Sequence, residues 1–366
     1  MHSKIIILVL ALGLTSIAAC SSEPEGRAKT LAGDGSEFGV SGYLFNNNLI
    51  MYDRAQTPPD GEPVLYPQIY YTRMDVDAYP VYGDFPRGDI RSGGPGIDGI
   101  PAITNPKMVT PAETAWGDND LVVGVVLNGE ARAYPHRILW WHEIVNDVVG
   151  GIPISITYCP LTGTGLVFDI TDINLRLELL PAVETNYATW LTLYPDSQVM
   201  SHETGVYAGY TRYPYGSYRE EGTSPLFGLN RPLDTRFPAK HVVLALNLEG
   251  ERKAYPYRSL DIDPVVNDEV GGKAVVVVFD PDTRTAVPFY RNTPSGVLEF
   301  EALGAGDDGL PTFTDVTTGS VWNLRGEAVS GELAGQTLTQ VPSHTAFWFA
   351  WAAFWPDTGV WGEETP

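Results

Sequence analysis

Cysteine and histidine are scarce in this chain of 366 residues, with two Cys and six His. Where they cluster, chemistry is most easily placed. His136, His142 and Cys159 stand close together in the sequence. Thiolate with imidazole suits copper or zinc, and His2Cys with an open position is a recognised copper arrangement. His136 and His142 are six apart, about 240° around a helix, so they share no face of one regular helix. His136 joins a site only if the helix begins after it. His142 and Cys159 are therefore the better pair, and His202, His241 and His344 are unplaced further ligands. The same pair also reads as a Cys nucleophile with His142 as base, oriented by Glu143, Asn146 or Asp147. No oxyanion-hole signature and no Ser/His/Asp elbow accompanies it. The third reading is a small apolar thiol on a core strand beside a hydrogen-bonded imidazole.

The elements that must position these residues are repeated. Gly129–Gly151 aligns with Gly250–Gly272 at an offset of 121 without a gap, and 13 of the 23 positions are identical. Chance at ordinary composition gives about one or two. A second block, Pro181–Val199, matches Pro342–Val360 at an offset of 161, pairing Trp190 with Trp351 and Pro195 with Pro356. The larger offset means that the first copy lacks about forty residues, roughly Tyr290–Leu333, present in the second. Phe38–Gln56, with the strand-like run Leu49–Asp53, is the expected replacement: a permuted segment.

Each copy reads alike. Asn128-Gly129 between Leu121–Leu127 and Ala131–Tyr134 signals a type I′ hairpin. Pro135 opens a helix to about Ile144, and Ile152–Tyr158 is a strand. Pro181–Val199 and Ala346–Trp355 read as short helices, the second rich in aromatics. The expectation is a strand-rich α+β protein of two duplicated units about a pseudo-twofold axis, each with short sheets and aromatic helices.

Duplication is also an internal control. Tyr134, Asn146 and Asp147 recur as Tyr255, Asn267 and Asp268, which assigns them to scaffold. His136, His142 and Cys159 become Tyr257, Asp263 and Asp280, so the chemistry belongs to the first copy alone.

The remaining sequence sets the surroundings. Lys4, the apolar run Ile5–Leu14 and Ile17-Ala18-Ala19-Cys20 resemble a lipoprotein signal peptide with its lipobox. Cleavage before Cys20 and acylation of its thiol would anchor the chain in the cell envelope, at the outer membrane or cell surface. The organisation expected is a signal over residues 1–19 and a flexible tether over 20–35. A first unit then spans 36–200, with 36–75 as the permuted part, and a degenerate second unit spans 201–366. A net charge of −22 excludes nucleic acid as partner. With 38 Gly and 29 Pro the chain is rich in turns. No apolar run after the signal is long enough to span a bilayer. Tyrosines over 207–218 could line a ligand groove, although a packed Pro/Gly-rich loop is the simpler explanation.

His142-Glu143-Ile144-Val145-Asn146-Asp147 and Thr157-Tyr158-Cys159-Pro160-Leu161-Thr162-Gly163-Thr164-Gly165 closely resemble the bacterial and archaeal "domain of unknown function 3179" family. Ala346–Trp351 and Pro356-Asp357-Thr358 resemble its C-terminal signature. The resemblance covers most of residues 36–360 and implies no activity. Family members with a second Cys at the Thr162 position have Cys-Pro-Leu-Cys, whereas this chain has one thiol there. The family order also puts a segment like Phe38–Arg54 after the counterpart of Asp169. The functional expectation is an envelope lipoprotein with a metal-binding (copper or zinc) or redox site at His142, Cys159 and His136. The alternatives are a Cys-nucleophile enzyme using Cys159 and His142, or a non-catalytic module binding a small molecule or protein.

Overall fold

The computed structural model describes residues 100–171, 177–206, 209–226, 229 and 232–363, with the backbone of 40–45 and 48–53. The signal, Cys20 and the tether lie outside the described residues. Strands β1 (Val40–Phe45) and β2 (Asn48–Asp53) form an antiparallel hairpin with Leu44 opposite Leu49, which meets the strand expected over Leu49–Asp53.

The fold is strand-rich, with about 43% strand and 11% helix. Its small sheets are arranged like the blades of a five-bladed propeller. In chain order the first half holds β3 (Ile103–Thr104), β4 (Met108–Val109), β5 (Leu121–Leu127), β6 (Glu130–Pro135) and helix α1 (His136–His142). It continues with β7 (Ile144–Val149), β8 (Ile152–Cys159), β9 (Thr164–Asp169) and β10 (Glu178–Leu179). β11 (Val183–Asn186), α2 (Tyr187–Leu193) and β12 (Gln198–Met200) complete that half. These strands make two sheets, ordered β10-β9-β8-β7-β3 and β11-β5-β6-β12-β4.

The second half opens with β13 (Val242–Leu248), β14 (Glu251–Pro256), α3 (Tyr257–Leu260), β15 (Val265–Val270), β16 (Lys273–Asp280) and β17 (Thr285–Tyr290). β18 (Asn292–Thr293) and β19 (Gly296–Val297) follow, then β20 (Phe300–Ala305), β21 (Pro311–Asp315), β22 (Val321–Trp322) and β23 (Ala328–Ser330). β24 (His344–Phe347), α4 (Trp348–Phe354) and β25 (Gly359–Val360) end it. Its orders β15-β16-β17 and β24-β13-β14-β25 repeat those of the first half, and β20-β21-β22-β23 adds a sheet.

Local chemistry explains the repeats. Asn128 and Gly129 take φ of 48° and 82°, and Glu249 and Gly250 take 48° and 90°. Two left-handed residues in a row make the type I′ turn whose twist suits the strands. Tyr134 donates to Asp147 at 2.7 Å and Tyr255 to Asp268 at 2.8 Å, with Arg132 and Lys253 on the same carboxylates. The shared residues are scaffold.

Two expected helices are shorter than the sequence suggested. Val183–Asn186 and His344–Phe347 are strands, and helix begins only at Tyr187 and Trp348. β11 alternates toward the core and β24 is buried throughout, and both become strands because they add to the edges of β5 and β13. The halves also interlock. Thr185 Oγ1 meets Thr285 Oγ1 at 2.6 Å, joining β11 to β17, while the Phe347 amide donates to Thr162 O at 2.8 Å, joining β24 to the turn before β9. No helix among the described residues is long and apolar enough to cross a membrane.

Candidate functional site

Cys159 ends β8 and is fully buried. Pro160-Leu161-Thr162-Gly163 then turns the chain into β9, with Gly163 at φ 61°. The Thr162 amide and hydroxyl donate to the Cys159 carbonyl at 3.2 and 3.4 Å, and with the Leu161 amide they lie near enough to the sulfur to favour its ionised form. Burial nevertheless dominates and, with the charge of Glu143, pushes the thiol up to about 12. The resting group is a thiol.

Glu143 follows α1 and sits at φ 55°, ψ −25°, as the left-handed cap of that helix. Its amide donates to Leu139 O, and its carbonyl accepts from the Tyr158 amide at 2.7 Å, next to Cys159. The carboxyl is buried, and Oε2 has no hydrogen-bond partner. Burial pushes it up to about 8, so it carries a proton near neutral pH. A bulky left-handed residue is strained, and such strain concentrates at functional positions.

Further into the interior, the His136 ring packs on Tyr158 at 4.4 Å between centroids. Neither ring nitrogen has a hydrogen-bond partner. Desolvation lowers it to about 3. Glu184, on β11, approaches at 3.8 Å and is raised to about 8, again by burial. Thus His136, Tyr158, Cys159 and Glu143 are buried, with half-buried Glu184 beside His136.

His142 is turned elsewhere. Its Nδ1 lies 2.7 Å from Pro101 O, which can only accept, so Nδ1 carries the hydrogen and Nε2 accepts from the Tyr210 hydroxyl at 2.5 Å. Both nitrogens are occupied by these contacts. The other histidines are dispersed. His202 is exposed beside Trp116, His241 meets Glu221 at 2.6 Å, and His344 is buried near Trp351. Among the described residues no group of three or more His, Cys, Asp or Glu could hold a metal ion.

The tyrosine-rich stretch before β13 roofs the turn. Tyr213 donates to Pro160 O at 2.8 Å and Tyr218 to Leu161 O at 3.0 Å. Beneath Tyr218, buried Lys240 donates to Tyr218 O and Thr223 Oγ1, and its ammonium lies over the Tyr218 ring.

The second copy shows what the turn is for. Asp280 takes the place of Cys159, and its carboxylate accepts from the Asp282 amide at 3.1 Å and the Thr283 hydroxyl at 2.6 Å. Those donors are the counterparts of Leu161 and Thr162. One turn therefore holds a carboxylate in one copy and faces a thiol in the other. Asp263, the counterpart of His142, is exposed.

The sequence singled out Cys159, His136 and His142 but left Tyr158 and Glu184 unremarked. Glu143 stood there only as an orienting residue for His142. The same internal control reaches all three: Glu143, Tyr158 and Glu184 become Pro264, Phe279 and Thr345. Extending the comparison from Cys and His to acids and tyrosines would have found them.

With this geometry in view, the chain belongs to the family described as "Protein of unknown function (DUF3179)", whose model matches residues 97–175 and 171–358. No curated protein and no solved structure matches it.

Proposed function

We propose that this is a lipid-anchored envelope protein whose first copy carries a thiol site. Cys159 is the reacting group, Glu143 receives its proton, and the second copy, related by a pseudo-twofold axis, is structural. The observation that carries the reading is the shared turn. Donors that hold the Asp280 carboxylate have their counterparts around the Cys159 sulfur, so the turn is suited to a sulfur that becomes negative during reaction. Supporting it, the buried ionisable groups around Cys159 are all replaced in the second copy. Matching strand orders and the reciprocal β11–β17 and β9–β24 contacts support the pseudo-twofold. Cys20 at the end of the lipobox supports the bilayer as partner.

At rest the thiol at about 12 and the carboxyl at about 8 are both protonated at pH 7. When Glu143 ionises it can take the Sγ proton as sulfur bonds to an electrophile. Alkylation by iodoacetamide tests this, since a carbon–sulfur bond forms, iodide leaves and the proton passes to Glu143. The rate should inflect near pH 8 in the wild type. In Glu143→Gln it should rise without that inflection. Identical profiles would overturn the role of Glu143. Elemental analysis of wild type against Cys159→Ser distinguishes the metal reading: stoichiometric copper or zinc lost with the thiol would replace the thiol mechanism with a metal centre.

A further inference from the structure

In the second half, the face formed by Val276, Val278, Val287 and Phe289 is packed beneath Phe300, Phe313 and Trp322 of the added sheet, together with Trp190 of α2. The sheet is also tied on by a polar pair. Asn267 Nδ2 donates to Phe300 O at 2.7 Å, and the Phe300 amide donates back to Asn267 Oδ1 at 2.9 Å.

The corresponding face of the first half is Ser155, Thr157, Leu166 and Phe168. All four are buried, at 8%, 3%, 1% and 0% exposure. Yet the sequence after β9 has no counterpart of residues 290–333, since the repeat offset there grows from 121 to 161. The polar tie is also incomplete. Asn146, the counterpart of Asn267, has a buried Nδ2 with no partner, and Thr157 Oγ1 and His344 Nδ1 are in the same condition. His344 lines a small pocket with Thr164, Ala346, Trp351 and Phe354. Trp351 is the counterpart of Trp190, the indole that the added sheet covers in the other half.

We infer that residues 38–56 of this same chain dock on this face, as the first half's equivalent of the β20–β23 sheet. Four observations choose that occupant over a second molecule. The vacancy is about forty residues, and the chain preceding residue 100 is long enough to fill it. Val40–Phe45 and Asn48–Asp53 already pair as a two-stranded hairpin, which supplies two strands where β20–β23 has four. The described chain enters the first half as β3 on the edge of β7, with Thr104 opposite Asn146, beside the unpartnered amide. The family match breaks at residues 171–175, where the forty residues are missing. A hairpin strand there would offer backbone carbonyls to Asn146 Nδ2 and apolar cover to Leu166 and Trp351. It would also bring the end of the tether near Thr157, two residues from Cys159.

The full mature chain tests this. A p-benzoylphenylalanine at the position of Tyr43, Phe45 or Tyr52, followed by irradiation and peptide mapping, should cross-link within residues 144–168 or 344–355. Cross-links confined to residues 290–338, cross-links only between molecules, or none from all three positions would overturn the proposal. A second measurement does not rely on the probe. Successive strand residues present opposite faces, so of Ile50→Asp and Met51→Asp at least one buries a charge. That variant should lower Tm by about 5 °C or more. Shifts below about 1 °C in both would overturn the docking.

Discussion

His136 Nε2 lies 3.8 Å from Glu184 Oε1, buried against Tyr158. The distance is too long for a hydrogen bond, and desolvation moves the two groups in opposite directions, His136 to about 3 and Glu184 to about 8. They face each other uncharged near neutral pH.

The pH dependence of stability follows. Between about 4.5 and 8 the unfolded chain has released the Glu184 proton while the folded protein keeps it, so stability falls as pH rises through that window. His136 works the other way. Between about 3 and 6.5 the unfolded chain binds a proton that the folded protein refuses, so stability is lost as pH falls through that range. Glu184→Gln should therefore raise Tm relative to wild type at pH 8 and leave it nearly unchanged at pH 4.5. Melting curves at the two pH values check this, and an equal shift at both would remove the titration as its cause.

Gly124 on β5 lies against the Trp190 ring, and an added Cβ would stand 2.0 Å from it. Gly124→Ala should cost about 1–3 kcal/mol through overpacking, read as a lower midpoint in urea. The second half has Ala245 at the equivalent position, so Ala245→Gly should leave a void beside Trp351, with a smaller loss.

The roof over Cys159 is held by the Tyr213 and Tyr218 hydroxyls. Native protein at pH 7.5 should react with a disulfide reagent far more slowly than unfolded protein. Tyr213→Phe and Tyr218→Phe each remove a hydrogen bond of about 1 kcal/mol, and each should speed native labelling about five-fold by easing local opening. Unchanged labelling rates would mean that the reagent reaches sulfur by another route.

Anchoring is read at Cys20. Cys20→Ala should abolish incorporation of labelled fatty acid and leave the precursor unprocessed by the lipoprotein peptidase. Normal labelling of that variant would remove the lipid anchor.

Much of the scaffold was legible because it repeats. The Asn128-Gly129 turn and the start of the helix after Pro135 follow from local residue chemistry, while Tyr134 and Asp147 were legible as shared scaffold but not as the cross-strand bond they make. The Val183 and His344 strands were less legible, because an edge strand is specified by the neighbour it joins and short aromatic runs fit either periodicity. The site was legible in part. Cys159 stood out by residue type, but its neighbourhood did not, because a helix ending at φ 55° turns Glu143, rather than His142, toward the strand that carries the thiol. That choice depends on one backbone angle, which no spacing rule contains.

The same angle has an evolutionary consequence. The counterpart of Glu143 is Pro264, whose ring holds φ near −65° and forbids the left-handed turn. Restoring His at 263 and Cys at 280 would leave the backbone between them on the wrong path, and restoring Glu at 264 alone would place a strained residue where no thiol benefits from it. Proline thus locks that stretch of the second half out of the left-handed cap, so side-chain substitutions at 263 and 280 alone cannot rebuild the first half's backbone there.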